Sequence, residues 1–163
     1  TGSPLFFYKM FKDTVAELLE QSLQKRSDLF LIDFEILDGN KIRIVIDGDS
    51  GVLVEDCMYV SRAIEHNLDR EEQDFSLEVS SAGATTPLKE KRQFKKHIGR
   101  SLVVSTFEKQ KYEAVLAAAD DLNIVLEWKA REPKPIGKGK VTVQKTAKIS
   151  YQDIEKAQIK LVF

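Results

Sequence analysis

Between residues 30 and 46 the chain carries two runs in which alternate side chains are apolar, parted by three turn-forming residues. Phe30, Ile32, Phe34 and Ile36 alternate with Leu31, Asp33 and Glu35. After Asp38-Gly39-Asn40 come Ile42, Ile44 and Ile46, set against Lys41, Arg43 and Asp47. A period of two places one apolar set on one face of a strand, so the pair predicts a β-hairpin with a single buried face. An isolated hairpin is marginally stable in water, and this one needs a cover. Its neighbours supply it. Phe11, Val15, Leu18, Leu19 and Leu23 recur at helical spacing before it, as do Leu53, Cys57, Val60, Ile64 and Leu68 after it. Asp47-Gly48-Asp49-Ser50-Gly51 reads as an irregular loop between hairpin and second helix. Phe75, Leu77 and Val79 then alternate as a third strand. The first half therefore reads α-β-β-α-β, with two helices on one face of a small three-stranded sheet.

The stretch Ser80-Ser81-Ala82-Gly83-Ala84-Thr85-Thr86-Pro87 is rich in turn and breaker residues. It places a linker at about 81–89 between an N-terminal domain, 1–83, and a C-terminal domain, 84–163. A short basic helix over Glu90 to His97 leads to Gly99. Beyond it lie short apolar alternations at Leu102 and Val104, Tyr112 to Leu116, Ile124 with Leu126 and Trp128, Val141 with Val143, and Ile149. Five short strands predict a small β-barrel, and Tyr151 to Ala157 reads as a final turn. The fold class is α+β.

Charge divides the chain at the same place. Residues 1–83 carry 8 Lys/Arg against 17 Asp/Glu, and residues 84–163 carry 17 against 9. A basic half suits a phosphate backbone or another acidic surface, although opposite charges can also simply draw two halves together. The cations concentrate in two twelve-residue windows: Lys89, Lys91, Arg92, Lys95, Lys96 and Arg100, then Lys129, Arg131, Lys134, Lys138 and Lys140 around Pro133 and Pro135. Read as flexible cationic loops, they can follow an RNA backbone without reading its sequence. Read plainly, they are solvated surfaces. No paired aromatics beside them offer a stacking platform.

Other chemistries find little support. A single cysteine, Cys57, allows no internal disulfide, and its apolar helical position marks it as a small core side chain. His66 and His97 stand far apart, so no metal-ligand cluster is recognisable, and the Asp47 to Gly51 loop lacks the ligand series of a calcium site. Gly137-Lys138-Gly139-Lys140 is not a phosphate-binding loop, and no catalytic set can be assembled. No apolar run is long enough to cross a membrane. A cytoplasmic protein without catalytic residues, cofactor, metal or small-molecule substrate is expected.

The order of residues carries a resemblance. Val45-Ile46-Asp47, Gly51-Val52, Asp56-Cys57, Val60-Ser61-Arg62, Leu68-Asp69, Leu77-Glu78-Val79-Ser80-Ser81-Ala82-Gly83, Pro87-Leu88, Arg92-Gln93-Phe94 and Gly99 resemble the RimP family of bacterial ribosome maturation factors. The likeness runs from about Phe11 to the C-terminus and is strongest over 44–99. Residues 1–10 have no counterpart and are expected to form a disordered leader. The resemblance implies that the C-terminal barrel is SH3-like and that the chain is a non-enzymatic factor. Such factors bind the free small ribosomal subunit and help a ribosomal protein of the decoding region join the rRNA. It also implies that Asp47, Asp56, Ser61, Glu78, Ser80, Ser81, Gly83 and Pro87 shape the domain and linker or face the partner. An exposed last strand around Leu161 could pair with another chain, but a monomer is the simpler expectation. One departure stands out: family members commonly follow the two serines with Pro, Gly, a hydrophobic residue, Asp and Arg, whereas Ala82 to Thr86 here lacks the two charged side chains. Two other readings of the basic half remain: a general RNA-binding module with an Sm-like or SH3-like barrel, and a protein-interaction adaptor.

Overall fold

The computed structural model describes residues 4–83 and 86–161, and side chains from Phe7 onward. The chain divides into two compact units, Thr1–Ala82 and Gly83–Phe163.

In the first unit, helix α1 (Pro4–Gln24) precedes strands β1 (Leu29–Leu37) and β2 (Lys41–Gly48), then helix α2 (Val54–Glu65) and strand β3 (Ser76–Ser81). The element order is the expected one. The hairpin turn places Gly39 and Asn40 at φ 78° and 55°, the left-handed region that glycine and asparagine tolerate best. Strand β3 joins β2 in parallel, Ile42 beside Leu77 and Ile44 beside Val79, giving the order β1-β2-β3. Parallel neighbours need a long crossover, and α2 is that crossover. Ile42, Ile44 and Ile46 are fully buried against Val15 and Leu19 of α1 and Val60 and Ile64 of α2. These side chains are the centre of the core.

Three expectations need correction. The leader does not hold, because residues 4–10 are the first turns of α1, and the Tyr8 hydroxyl donates to the carbonyl oxygen of Ile36, 3.4 Å away. Residues 1–3 lie outside the described residues. The alternation in β1 is broken by a bulge at Ile32: Leu31 pairs with Ile46 but Asp33 pairs with Val45. One extra residue exchanges the two faces of a strand. Leu29, Leu31, Phe34 and Ile36 therefore belong to the core cluster, and Phe30 and Ile32 are buried outside it. Finally, Asp47 and Gly48 end β2 rather than opening a loop.

The second unit begins with helix α3 (Lys91–Lys96) and continues as strands β4 (Ser101–Thr106), β5 (Lys111–Ala119), β6 (Asn123–Pro133) and β7 (Lys140–Ser150). A 3₁₀ turn (Tyr151–Asp153) leads to β8 (Ile154–Ile159). The sheet is antiparallel in the order β7-β6-β5-β4-β8. It is not closed: among the described residues β7 and β8 remain its two edges, so a sealed barrel is absent. The strand assignment also shifts. Val141, Val143 and Ile149 share the single strand β7, and the fifth strand is β8, in the region read as a turn. Its pairing with β4 explains this, since Ala157 opposite Val104 is fully buried and Glu155 and Lys156 sit at the exposed rim. Leu102, Leu116, Ile124 and Leu126 fill the core, capped by Phe94 of α3, whose ring meets Tyr151 edge-on at 5.3 Å. No helix among the described residues is long and apolar enough to cross a membrane.

Candidate nucleic-acid interface

The second cationic window is not a flexible loop. Strand β6 runs on to Pro133 and β7 starts at Lys140, paired without a break from Asn123 opposite Ser150 to Pro133 opposite Lys140. Only 134–139 form the connecting turn. Strand β5 accompanies β6 no further than Glu127, so from Trp128 outward β6 and β7 are a two-stranded ribbon projecting from the sheet.

Register assigns its faces. Trp128, Ala130 and Glu132 stand opposite Lys145, Val143 and Val141, and all but Val141 are half-buried. Lys129, Arg131 and Pro133 stand opposite Gln144, Thr142 and Lys140, and every one of these is exposed. The open face is thus cationic, with a single hydroxyl at Thr142. Arg131 donates to the Thr142 hydroxyl at 3.0 Å, which holds its guanidinium across the ribbon. The ribbon's one acid from 128 to 145, Glu132, is paired with Lys145. Lys129, Lys134, Lys138 and Lys140 enter no ion pair among the described residues. Uncompensated charges on a projecting, pre-formed element can replace the counterions of a phosphate backbone with little ordering beforehand.

The first cationic window is built differently. The Gln93 side-chain oxygen accepts the backbone N–H groups of Lys89 and Glu90 at 2.8 and 3.0 Å, capping α3, and buried Phe94 anchors it. Lys91 lies over the Tyr151 ring at 5.4 Å, and Lys95 donates to Asp121 at 2.7 Å. That contact holds the Asp121 carboxyl below the usual range. Asp120 is held low too, mainly because its carboxylate accepts the N–H groups of Asn123 and Leu122. Arg92 and Lys96 are half-buried; Lys89 and Arg100 are exposed. Part of this cluster therefore serves the unit's own structure. The two windows are not brought together. Lys95 meets the β5–β6 turn at one end of β6 and the cationic tip lies at the other, ten residue steps away, or about 33 Å along a strand.

Among the described residues no three His, Cys, Asp or Glu side chains gather as a metal site. Cys57 is half-buried, and burial followed by the charge of Asp56 pushes its thiol up, away from thiolate chemistry.

Sequence comparison places the chain among known relatives. The family model described as RimP N-terminal domain matches residues 18–85. The ribosome maturation factor RimP of Christiangramia forsetii is 56% identical over 154 residues, 94% of this chain and 100% of the relative. The protein of the same name from Flavobacterium psychrophilum is 53% identical over 153 residues, 94% of this chain and 99% of its own length. The chain belongs to the RimP family of ribosome maturation factors.

The RimP motif positions take several parts in the fold. Asp56 is at the third position of α2, where its carboxylate accepts the Leu53 N–H at 2.9 Å and an Arg26 N–H at 2.8 Å. Both lower its pKa, the backbone bond more. Arg26 also grips Asp28 through two 3.0 Å bonds, so it ties the end of α1 to the start of α2. Asp47 is buried at the end of β2 and accepts the Gly48 N–H at 2.8 Å. Gly48 has to be glycine, since a Cβ there would collide with the Gly51 carbonyl oxygen. Ser61 is half-buried on α2. On β3, exposed Glu78 sits beside Arg43, itself paired with Glu35 at 3.2 Å, and Ser80 and Ser81 pair with Val45 and Ile46. At the linker, Thr86 closes a turn on Gly83: its hydroxyl accepts the Gly83 N–H at 3.2 Å, and its own N–H donates to the Gly83 carbonyl at 3.0 Å. Half-buried Pro87 follows.

Sequence reading missed Thr142, Gln144 and Lys148, which share the open face of β7, and Ile136 at the tip. The signal was present: Lys140, Thr142, Gln144, Thr146 and Lys148 recur at a period of two, but with polar residues on the repeating face.

Proposed function

We propose that this chain binds the free, immature small ribosomal subunit in the cytoplasm as a monomer and assists its assembly without catalysis. On this reading residues 1–83 and 84–163 act as separate domains. The open face of the β6–β7 ribbon lies along rRNA, and the exposed cations beside α3, Lys89 and Arg100 above all, add a second contact. The observation that carries the proposal is the row Lys129, Arg131, Lys134, Lys138 and Lys140 on one projecting element whose one acid is already paired. Family membership supplies the ribosomal context. The acidic first domain, with Asp33, Glu35 and Asp38, suits a basic ribosomal protein of the decoding region. For the second domain, the short 3₁₀ turn before β8 and the sheet order support an SH3-like topology with an open seam.

The test is co-sedimentation of the full chain with separated small subunits, large subunits and whole ribosomes at low and moderate salt. Retention on free small subunits alone is the expected result. Equal retention on every particle makes it a general RNA-binding module instead, and retention on small subunits that ignores salt makes it an adaptor that grips protein.

A further inference from the structure

At the apex of the ribbon the chain reads Lys134-Pro135-Ile136-Gly137-Lys138-Gly139, and Ile136 is 90% exposed, more than any other large hydrophobic residue among those described. The turn does not need that side chain. The Lys134 N–H donates to the Gly139 carbonyl at 3.1 Å, and Gly137 and Gly139, at φ 88° and 97°, take the left-handed conformations that close it. A single exposed hydrophobic residue is ordinary on a protein surface; what sets Ile136 apart is its place at the apex of a paired arm, between Lys134 and Lys138.

We propose that Ile136 is an apolar wedge that enters RNA at an unstacked step, a bulge or a helix end, while the cations behind it hold the adjoining backbone. The idea rests on the ribbon being the RNA-binding element. Apolar tips on arms of this kind can enter between bases and relieve their own exposure, and single-nucleotide bulges offer the least stacking to disrupt. The partner's chemistry follows from the layout of charge. Lys134 and Lys138 flank Ile136, and Lys129, Arg131 and Lys140 continue along the arm for about 13 Å, counted as four residue steps from 129 to 133. A membrane touched by the tip would engage only the two apical lysines. A phosphate chain running along the arm engages all five.

The experiment uses the full chain and two RNA hairpins, one fully paired and one with a single bulged nucleotide, each with 2-aminopurine beside the site. The chain should prefer the bulged RNA by about tenfold, the scale of one buried aliphatic side chain, and should raise the 2-aminopurine fluorescence as the step unstacks. Ile136→Ser should lose both effects while keeping the salt dependence, and Ile136→Leu should keep both. If Ile136→Ser matches the unsubstituted chain while Lys134→Gln with Lys138→Gln weakens binding, the wedge is wrong and the ribbon reading survives. If neither change affects RNA binding, both ideas fail. Ile136-dependent binding to phosphatidylglycerol vesicles without preference between the RNAs would also overturn the wedge.

Discussion

If the β6–β7 ribbon lies along rRNA as proposed, its five cations fix how steeply binding falls with salt. Each phosphate contact removes about 0.7 to 0.9 from the slope of log affinity against log salt. Converting Lys129, Arg131, Lys134, Lys138 and Lys140 to Gln removes five cations, so if all five meet phosphates the slope should become shallower by about 4. Over a twofold change in salt that is roughly a 16-fold smaller change in affinity. All five are exposed, so the fold should tolerate the change. Lys95→Gln is the matched control. Lys95 is already engaged with Asp121 at 2.7 Å and must leave it to reach a phosphate, so its loss should move the slope less than Lys129→Gln alone. Fluorescence anisotropy with a labelled fragment of small-subunit rRNA, from 50 to 300 mM salt, measures each slope. A five-fold variant with an unchanged slope would refute the assignment, and equal effects from Lys95 and Lys129 would refute the distinction between paired and unpaired cations.

Three further predictions concern the fold beneath the site. Leu126→Ala should destabilise the second unit by about 2–5 kcal/mol, because the side chain is fully buried at the centre of its sheet; urea unfolding followed by Trp128 fluorescence, which reports this unit, measures it. Gly48→Ala should destabilise the first unit by about 1–3 kcal/mol through the clash with Gly51, read as a lower urea midpoint by circular dichroism. Asp56 has a folded pKa below its ordinary value, so its contribution is complete above the ordinary carboxylate range and fades as pH falls toward the lowered value. Asp56→Asn should therefore lower stability at pH 7 and flatten its decline in acid, and an equal deficit at pH 7 and pH 3 would contradict this.

The first unit was legible because its elements bury apolar faces with a clear period: Ile42, Ile44 and Ile46 could only be a strand with one covered side. The bulge at Ile32 was not legible, because Phe30 to Ile36 reads as unbroken alternation and the displaced residue shows only in the pairing with Val45. Strand β8 was hidden because Glu155 and Lys156 interrupt its pattern while β4 supplies its hydrogen bonds. The ribbon failed for a related reason. Beyond Trp128 it has no buried core side chain, and Pro133 and Pro135 read as breakers, so cross-strand pairing rather than burial keeps residues 129–133 and 140–145 extended. The sequence grouped these cations as a loop, whereas the backbone from 129 to 133 and at 140 is paired strand. It also could not separate the α3 lysines held by Tyr151 and Asp121 from ribbon lysines that face water, since that difference lies in contacts across 26 or more residues.

The most direct test is photo-crosslinking on free small subunits, with a photoreactive amino acid at Thr142 on the open face of the ribbon and, separately, at Glu71 in the first unit. A crosslink from position 142 to small-subunit rRNA, weakened by the five-cation substitution and absent with large subunits, is the predicted result. Crosslinks from 142 to protein only, or none while position 71 reaches rRNA, would contradict the account.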